Sequence, residues 1–459
     1  MNRNVEIWIE QHKEDLIKSL QESIRFKSVE AEPTAGAPFG KAINDALEHA
    51  LALAEGFGFK CLNLDGYAGC IDYGEGDETL GVMSHLDVVP EGTGWIYPAY
   101  GGEIHDGRIY GRGAMDNKGP AIASIYALAA IKACGIVPDR KIRLILGCDE
   151  ESGWACMKHY AECEPLPDLA FSPDAEYPLV YSEKAIFHGT YVKPYASNII
   201  LKGGERGNVV PGEAKARVTL PLTDVQPVVT DFLINSKFRC EASAIDETSC
   251  EIVMKGLDAH AAMPELGKNA VLAMLDLLAK LPLIGEDAQT ARALTELLRY
   301  DIHGENFGLD REDKSGRLTL NAGVIDWDEK GVNTLILDIR APITLERGLI
   351  EQLLREGFAP AGLKEQSTGY KDGHYVDPES ELVSKLMEVY TRRSGENLPP
   401  LAIGGGTYAR CIPNAVAFGC ERPGKEALVH MPNESLEIED LMFNTFMIAD
   451  AILALAVRN

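Results

Sequence analysis

The sequence predicts an α/β protein interrupted by an inserted α+β domain. Three observations carry that expectation. Apolar strand-like runs alternate with amphipathic helical stretches over the first 185 residues, which argues for a sheet that is at least partly parallel. Between about 186 and 385 the alternation gives way to period-two runs with helices between them. The α/β pattern then returns. The expected organisation is a core domain in two parts, 1–186 and 386–459, with an inserted domain at 187–385. A chain of 459 residues exceeds one ordinary core, so two domains are the default.

Each element follows from local pattern. The opening stretch MNRNVEIWIEQHKEDLIKSLQESI reads as an amphipathic helix without the apolar run of a signal peptide. Short strands are expected near 59–65 and 68–73, and a buried one at 79–83. Ile122, Ile125, Leu128 and Ile131 recur at spacings of three, predicting a helix over 119–134 that Gly135 and Pro138 end. Strands follow at 141–146 and 169–171. The insert carries alternating runs at 215–220, 318–324 and 334–340, with helices at 268–280 and 345–356. A helix at 379–394, a strand at 415–419 and a helix at 437–456 close the chain.

Composition narrows the function. Hydrophobic content of 46% and charged content of 25% are those of a soluble globular protein. Acidic residues outnumber basic ones, 70 to 44, and a formal charge of −26 disfavours nucleic acid or an anionic membrane as partner. No apolar run is long enough to span a bilayer. Ten cysteines without C-x-x-C pairs read as thiols in a reducing compartment, so a cytoplasmic location is expected.

The chemistry concentrates in four clusters. SHLDVVP at 84–90 places His85 and Asp87 on one face of a strand end, because side chains alternate. GRGAMDNKG at 111–119 presents Asp116 at a glycine-flanked turn before a helix. The strand at 141–146 runs into Gly147-Cys148-Asp149-Glu150-Glu151, and LAFSP ends at Asp174. Open α/β sheets bind ligands beyond the carboxyl ends of their strands. Apolar strand followed by acid therefore converges these groups, and so many carboxylates together require a cation. Carboxylates with one or two histidines suit zinc, manganese or cobalt. In an extended segment Glu150 and Glu151 point oppositely, so one can bind metal while the other takes a proton from water. Spacing leaves open which does which.

SHLDVVPEG, GRGAMDNKGP, DEESG, SPDAEYP and the late VHMPNE resemble the motif set of the dinuclear aminoacylase/carboxypeptidase/dipeptidase metallopeptidase family, closest to its bacterial PepV-type dipeptidases. The resemblance implies a catalytic domain with a central mixed, mostly parallel sheet flanked by helices, and an α+β lid doubled into ferredoxin-like units. It implies two divalent ions, Zn2+ or Mn2+. His85 and Asp174 would hold one, Glu151 and His430 the other, and Asp116 would bridge both. Asp87 would orient His85, and Glu150 would be the general base. Glu434 either supports His430 or lies in a solvated loop.

The insert supplies further candidates. His260, in a small-residue turn before a helix, is expected to be exposed, and it matches the lid histidine that steadies the scissile carbonyl oxygen. Arg340, ending LILDIRAP, resembles the lid arginine that takes a substrate carboxylate through its planar fork. Asn208 in GERGNVVPG resembles the asparagine sharing that duty. Gly405, Gly406, Thr407 and Arg410 lie in a glycine-rich loop that lacks a phosphate-loop lysine and resembles the family loop receiving the substrate's C-terminus. The expected activity is hydrolysis of a dipeptide with a free C-terminus by a monomer, without nucleic acid or membrane partners. Its rivals are an N-acyl amino acid deacylase, a tripeptidase of the same family and a non-catalytic metal-binding homologue.

Overall fold

Four parallel strands lie side by side and end at the same edge: Lys141–Gly147, Thr79–His85, Leu169–Ser172 and Ala415–Ala417. Thr79–His85 is buried at every position but its first, as a strand covered on both faces must be. Antiparallel strands extend the sheet on both sides. Ala68–Tyr73 pairs with Lys141–Gly147, Lys60–Leu64 pairs with Ala68–Tyr73, and Val180 pairs with Ala417 at the other flank. The sheet is thus mixed, parallel at its centre and antiparallel toward its edges.

The computed structural model describes residues 2–234, 236–425 and 428–457. They form two compact units. One comprises residues up to 182, 376–401 and 406 onward; the other comprises 183–375 and 402–405.

In the first unit, the helix Lys118–Ala133 is buried along nearly its whole length and packs against Ile438–Ala456. The N-terminal stretch is two helices, Arg3–Gln11 and Lys13–Ile24, rather than one. Asn2 caps the first by accepting the Asn4 and Val5 N–H groups. Lys118 is fully buried, and its ammonium donates to the Ser23 and Phe26 carbonyls, tying the helix start to the end of Lys13–Ile24. Burial lowers its pKa to about 7.

The second unit is a fully antiparallel eight-stranded sheet. One half runs Thr319–Asp328, Gly331–Ala341, Ala185–Pro194, Lys364–Lys371 across the sheet. With the helices Gly285–Leu298 and Arg347–Phe358, that is the order of a ferredoxin-like βαββαβ unit. The other half, Ile199–Gly203, Glu213–Val218, Cys250–Lys255, Arg239–Ala244, has the same spatial order with its chain circularly permuted. The halves join edge to edge through Leu201↔Trp327 and its neighbours. The doubled, ferredoxin-like α+β insert expected from the family resemblance is therefore present.

Candidate metal centre

Strand register explains why the acids meet. His85 ends its strand directly opposite Gly147, the residue preceding Cys148-Asp149-Glu150-Glu151. Leu169–Ser172 lies on the other side of that strand and leads through Pro173 to Asp174. Asp116 comes from the loop before the helix Lys118–Ala133. His430 enters from the segment after the strand Ala415–Ala417.

Two donor groups form, and they share one residue. His85, Asp116 and Asp174 present ligand atoms within 4.8 Å of one another, and so do Asp116, Glu151 and His430. His85 Nε2 lies 2.9 Å from Asp116 Oδ1 and 3.7 Å from Asp174 Oδ1. His430 Nε2 lies 2.9 Å from Asp116 Oδ2 and 3.0 Å from Glu151. Each oxygen of Asp116 therefore faces a different histidine. Glu150 belongs to neither group and lines the same cavity of about 150 Å³, together with Gly406, Thr407 and Glu421.

Electrostatics fit a divalent pair. Burial raises the Glu150 carboxyl well above its ordinary range, and Asp174, Glu151 and Asp116 add to the shift. Burial likewise raises Glu151 and Asp174, each with a further contribution from Asp116. Burial opposes a charged His85, yet Asp174, Asp116 and Asp87 overcome it and raise its pKa. His430 is pushed up to about 11, its hydrogen bonds with Asp116 and Glu151 outweighing partial burial. Asp116, flanked by both imidazoles, is lowered despite burial. These carboxylates and imidazoles are the donors zinc and manganese accept.

Asp87 and Glu434 support the two donor groups. His85 Nδ1 lies 2.9 Å from the Asp87 carbonyl and 3.5 Å from its carboxylate, so the ring's far side is held. The Asp87 carboxylate also accepts the Glu151 N–H at 3.0 Å, linking the supports of both groups. Glu434 is fully buried and no solvated loop acid. One carboxylate oxygen accepts the N–H groups of Gly113, Met115 and Asp116, and the other meets buried Arg112 at 2.6 Å.

Three further residues, not among the candidates above, adjoin these groups. Asn117 donates to the Pro173 carbonyl at 2.8 Å and to Asp174 at 2.9 Å, while its side-chain oxygen accepts the His85 N–H. Tyr408 stands edge-on to the His85 ring, its hydroxyl 2.9 Å from Cys156 Sγ. Glu421 follows the fourth parallel strand, Ala415–Ala417, so the rule of apolar strand then acid applies to it too. Burial raises its carboxyl to about 7, with Asp116 and Asp174 adding to the effect.

The second unit gathers the other candidates. Val209 pairs with exposed His260, and exposed Asn208 accepts the Ala261 N–H through its carbonyl. Asn321 holds this turn by donating to the Gly207 and Val209 carbonyls. Arg340 pairs across the sheet with Thr319, whose hydroxyl lies 3.5 Å from the Ala261 carbonyl. The Arg340 guanidinium is buried, grips Asp338 with two nitrogens and donates a third to the Gly404 carbonyl at 2.9 Å. In the glycine-rich loop, Gly405 belongs to the second unit and Gly406 to the first. Thr407 caps the 3₁₀ turn Tyr408–Cys411 through the Ala409 N–H, and the Arg410 guanidinium lies against Gly406.

Comparison with known proteins places this geometry. Residues 81–454 match the model of peptidase family M20/M25/M40. The Bacillus subtilis (strain 168) protein YtjP is 37% identical over 99% of this chain and its own full length. The Beta-Ala-Xaa dipeptidase of Lactobacillus delbrueckii subsp. lactis is 31% identical over 99% of both chains. The crystal structure of human carnosine dipeptidase 1 superposes over 98% of both chains with a TM-score of 0.60. At 16% identity that likeness speaks for the fold alone.

Proposed function

The chain belongs to peptidase family M20/M25/M40 and is a metallopeptidase, and on that premise we propose that it is a dipeptidase working with two divalent ions. The observation that carries this reading is the pair of donor groups joined through Asp116, with Glu150 beside them and outside both. His85 and Asp174 would hold one ion, Glu151 and His430 the other, and Asp116 both. Bound there, zinc or manganese would polarise the scissile carbonyl and lower the pKa of a shared water.

The chain's own groups do the rest. Glu150 takes a proton from the attacking water and returns it to the departing amine nitrogen. The buried network of Asp87, Asn117 and Glu434 keeps the ligands oriented while the charges change. By the family resemblance, His260 donates to the developing oxyanion, and Arg340 with Asn208 takes the substrate's carboxylate. The loop of Gly405, Gly406, Thr407 and Arg410 receives the same end of the peptide. Ten cysteines without C-x-x-C pairs support a reducing, cytoplasmic location, and the doubled insert supports action as a monomer.

A substrate panel tests the reading. Free dipeptides are expected to be cleaved at least about tenfold more efficiently than tripeptides or N-acetyl and N-succinyl amino acids, a gap within reach of one lost polar contact. Preference for an N-acyl amino acid would replace it with a deacylase, and preference for three residues with a tripeptidase.

A further inference from the structure

The cavity at the strand ends is lined by one carboxylate side chain, among the described residues, that the proposed mechanism leaves unused. Asp116, Glu150, Glu151, Asp174 and His430 have roles; Glu421 lines the same wall and belongs to neither donor group. Its backbone is fixed. Cys420–Glu421 runs parallel to Ala175–Glu176, and the Tyr177 N–H donates to the Glu421 carbonyl at 2.8 Å. Asn444 donates to the Cys420 carbonyl, and Cys420 Sγ reaches the Pro173 carbonyl. Gly419 lies at φ 79°, where any Cβ would strike the Tyr177 ring, so the approach to this strand has one course.

Among the described residues, the Glu421 carboxylate has no ion pair or hydrogen-bond donor. The basic residues that follow it are engaged elsewhere: Arg422 with Asp440, and Lys425 with Asp440 and Glu437. A partly buried carboxylate without a partner is costly unless a cation arrives with the ligand. A dipeptide brings one such cation, its terminal ammonium, at the end opposite its carboxylate. An N-acyl amino acid brings none.

We propose that Glu421 receives the free amino group of the substrate and makes the site selective for peptides with an unblocked N-terminus. The inference rests on the dipeptidase reading and adds the group that would distinguish a dipeptide from an acylated amino acid.

Gly-Leu and N-acetyl-Leu test it, because they differ at the scissile residue only by the amino group. In wild-type protein kcat/KM should favour Gly-Leu strongly. Glu421→Gln should lower kcat/KM for Gly-Leu by about 10- to 100-fold, the worth of one charge-assisted hydrogen bond, and leave N-acetyl-Leu unchanged. Metal content should stay at two equivalents. If N-acetyl-Leu is cleaved too slowly to follow, its inhibition constant against Gly-Leu serves, and equal values in both proteins are expected. Equal loss on both compounds, an undiminished preference for Gly-Leu, or loss of metal would overturn the role of Glu421 while the dipeptidase reading stands. A wild-type protein that cleaves no dipeptide would overturn both.

Discussion

The Glu434 carboxylate reaches back 318 positions to accept the Asp116 N–H at 3.1 Å. The same oxygen accepts the N–H groups of Gly113 and Met115, and the carboxylate's other oxygen is paired with Arg112. The residue shared by both donor groups is thus held by a buried ion pair. Removing one partner of such a pair strands the other's charge. Glu434→Gln is expected to cost about 3–5 kcal/mol of stability in urea denaturation. The resulting disorder at Asp116 should weaken metal binding about 10- to 100-fold by calorimetric titration. A variant with wild-type stability and affinity would show that Glu434 does not hold the loop.

Asn117 acts on one donor group more than the other. It links the His85 backbone to Asp174, both in the first group, and among the described residues its side chain bonds neither Glu151 nor His430. Asn117→Ala should therefore weaken one of two sequential metal-binding steps by about tenfold or more and spare the other. Equal weakening of both steps would count against this assignment.

Under the proposed ligand set, protons and metal ions would compete for the same atoms. The neighbouring carboxylates raise the His85 pKa well above its usual value and push that of His430 up to about 11, which favours a proton on each ring. Metal bound at the proposed ligand atoms would displace those protons. Its affinity should rise between pH 6 and 9 by about tenfold per pH unit for each proton displaced. The sign for folding follows. A histidine whose pKa is raised on folding stabilises fully below about 6.5, and that contribution fades as pH climbs toward 11. Chelated protein should lose thermal stability as pH rises from 7 to 10, and metal-loaded protein should lose less. Flat affinity across that range would contradict the proposed ligand atoms.

Much of this was legible in sequence because the rules involved are local. Apolar runs closed by an acid identified three of the parallel strands and placed His85, Glu150, Glu151 and Asp174 at one edge. The same rule reaches Glu421, where the short strand Ala415–Ala417 and three intervening residues weaken the signal. Asn117 and Arg112 carried no signal, since their partners lie 57 and 322 positions away. The permuted half of the insert was hidden for a similar reason: Leu201↔Trp327 pairing follows from the edge-to-edge joining of the two halves rather than from any periodicity. The helix Leu222–Ile234 contains Pro227, which locally reads as a breaker. The break at His12 interrupts an otherwise continuous amphipathic pattern.

Metal content and dipeptide turnover of Glu150→Gln, measured side by side, test the division of labour at the strand ends most directly. Two equivalents of divalent metal should remain bound while kcat falls about 10²- to 10⁴-fold, the usual worth of a general base. Undiminished turnover, or loss of either metal, would contradict it.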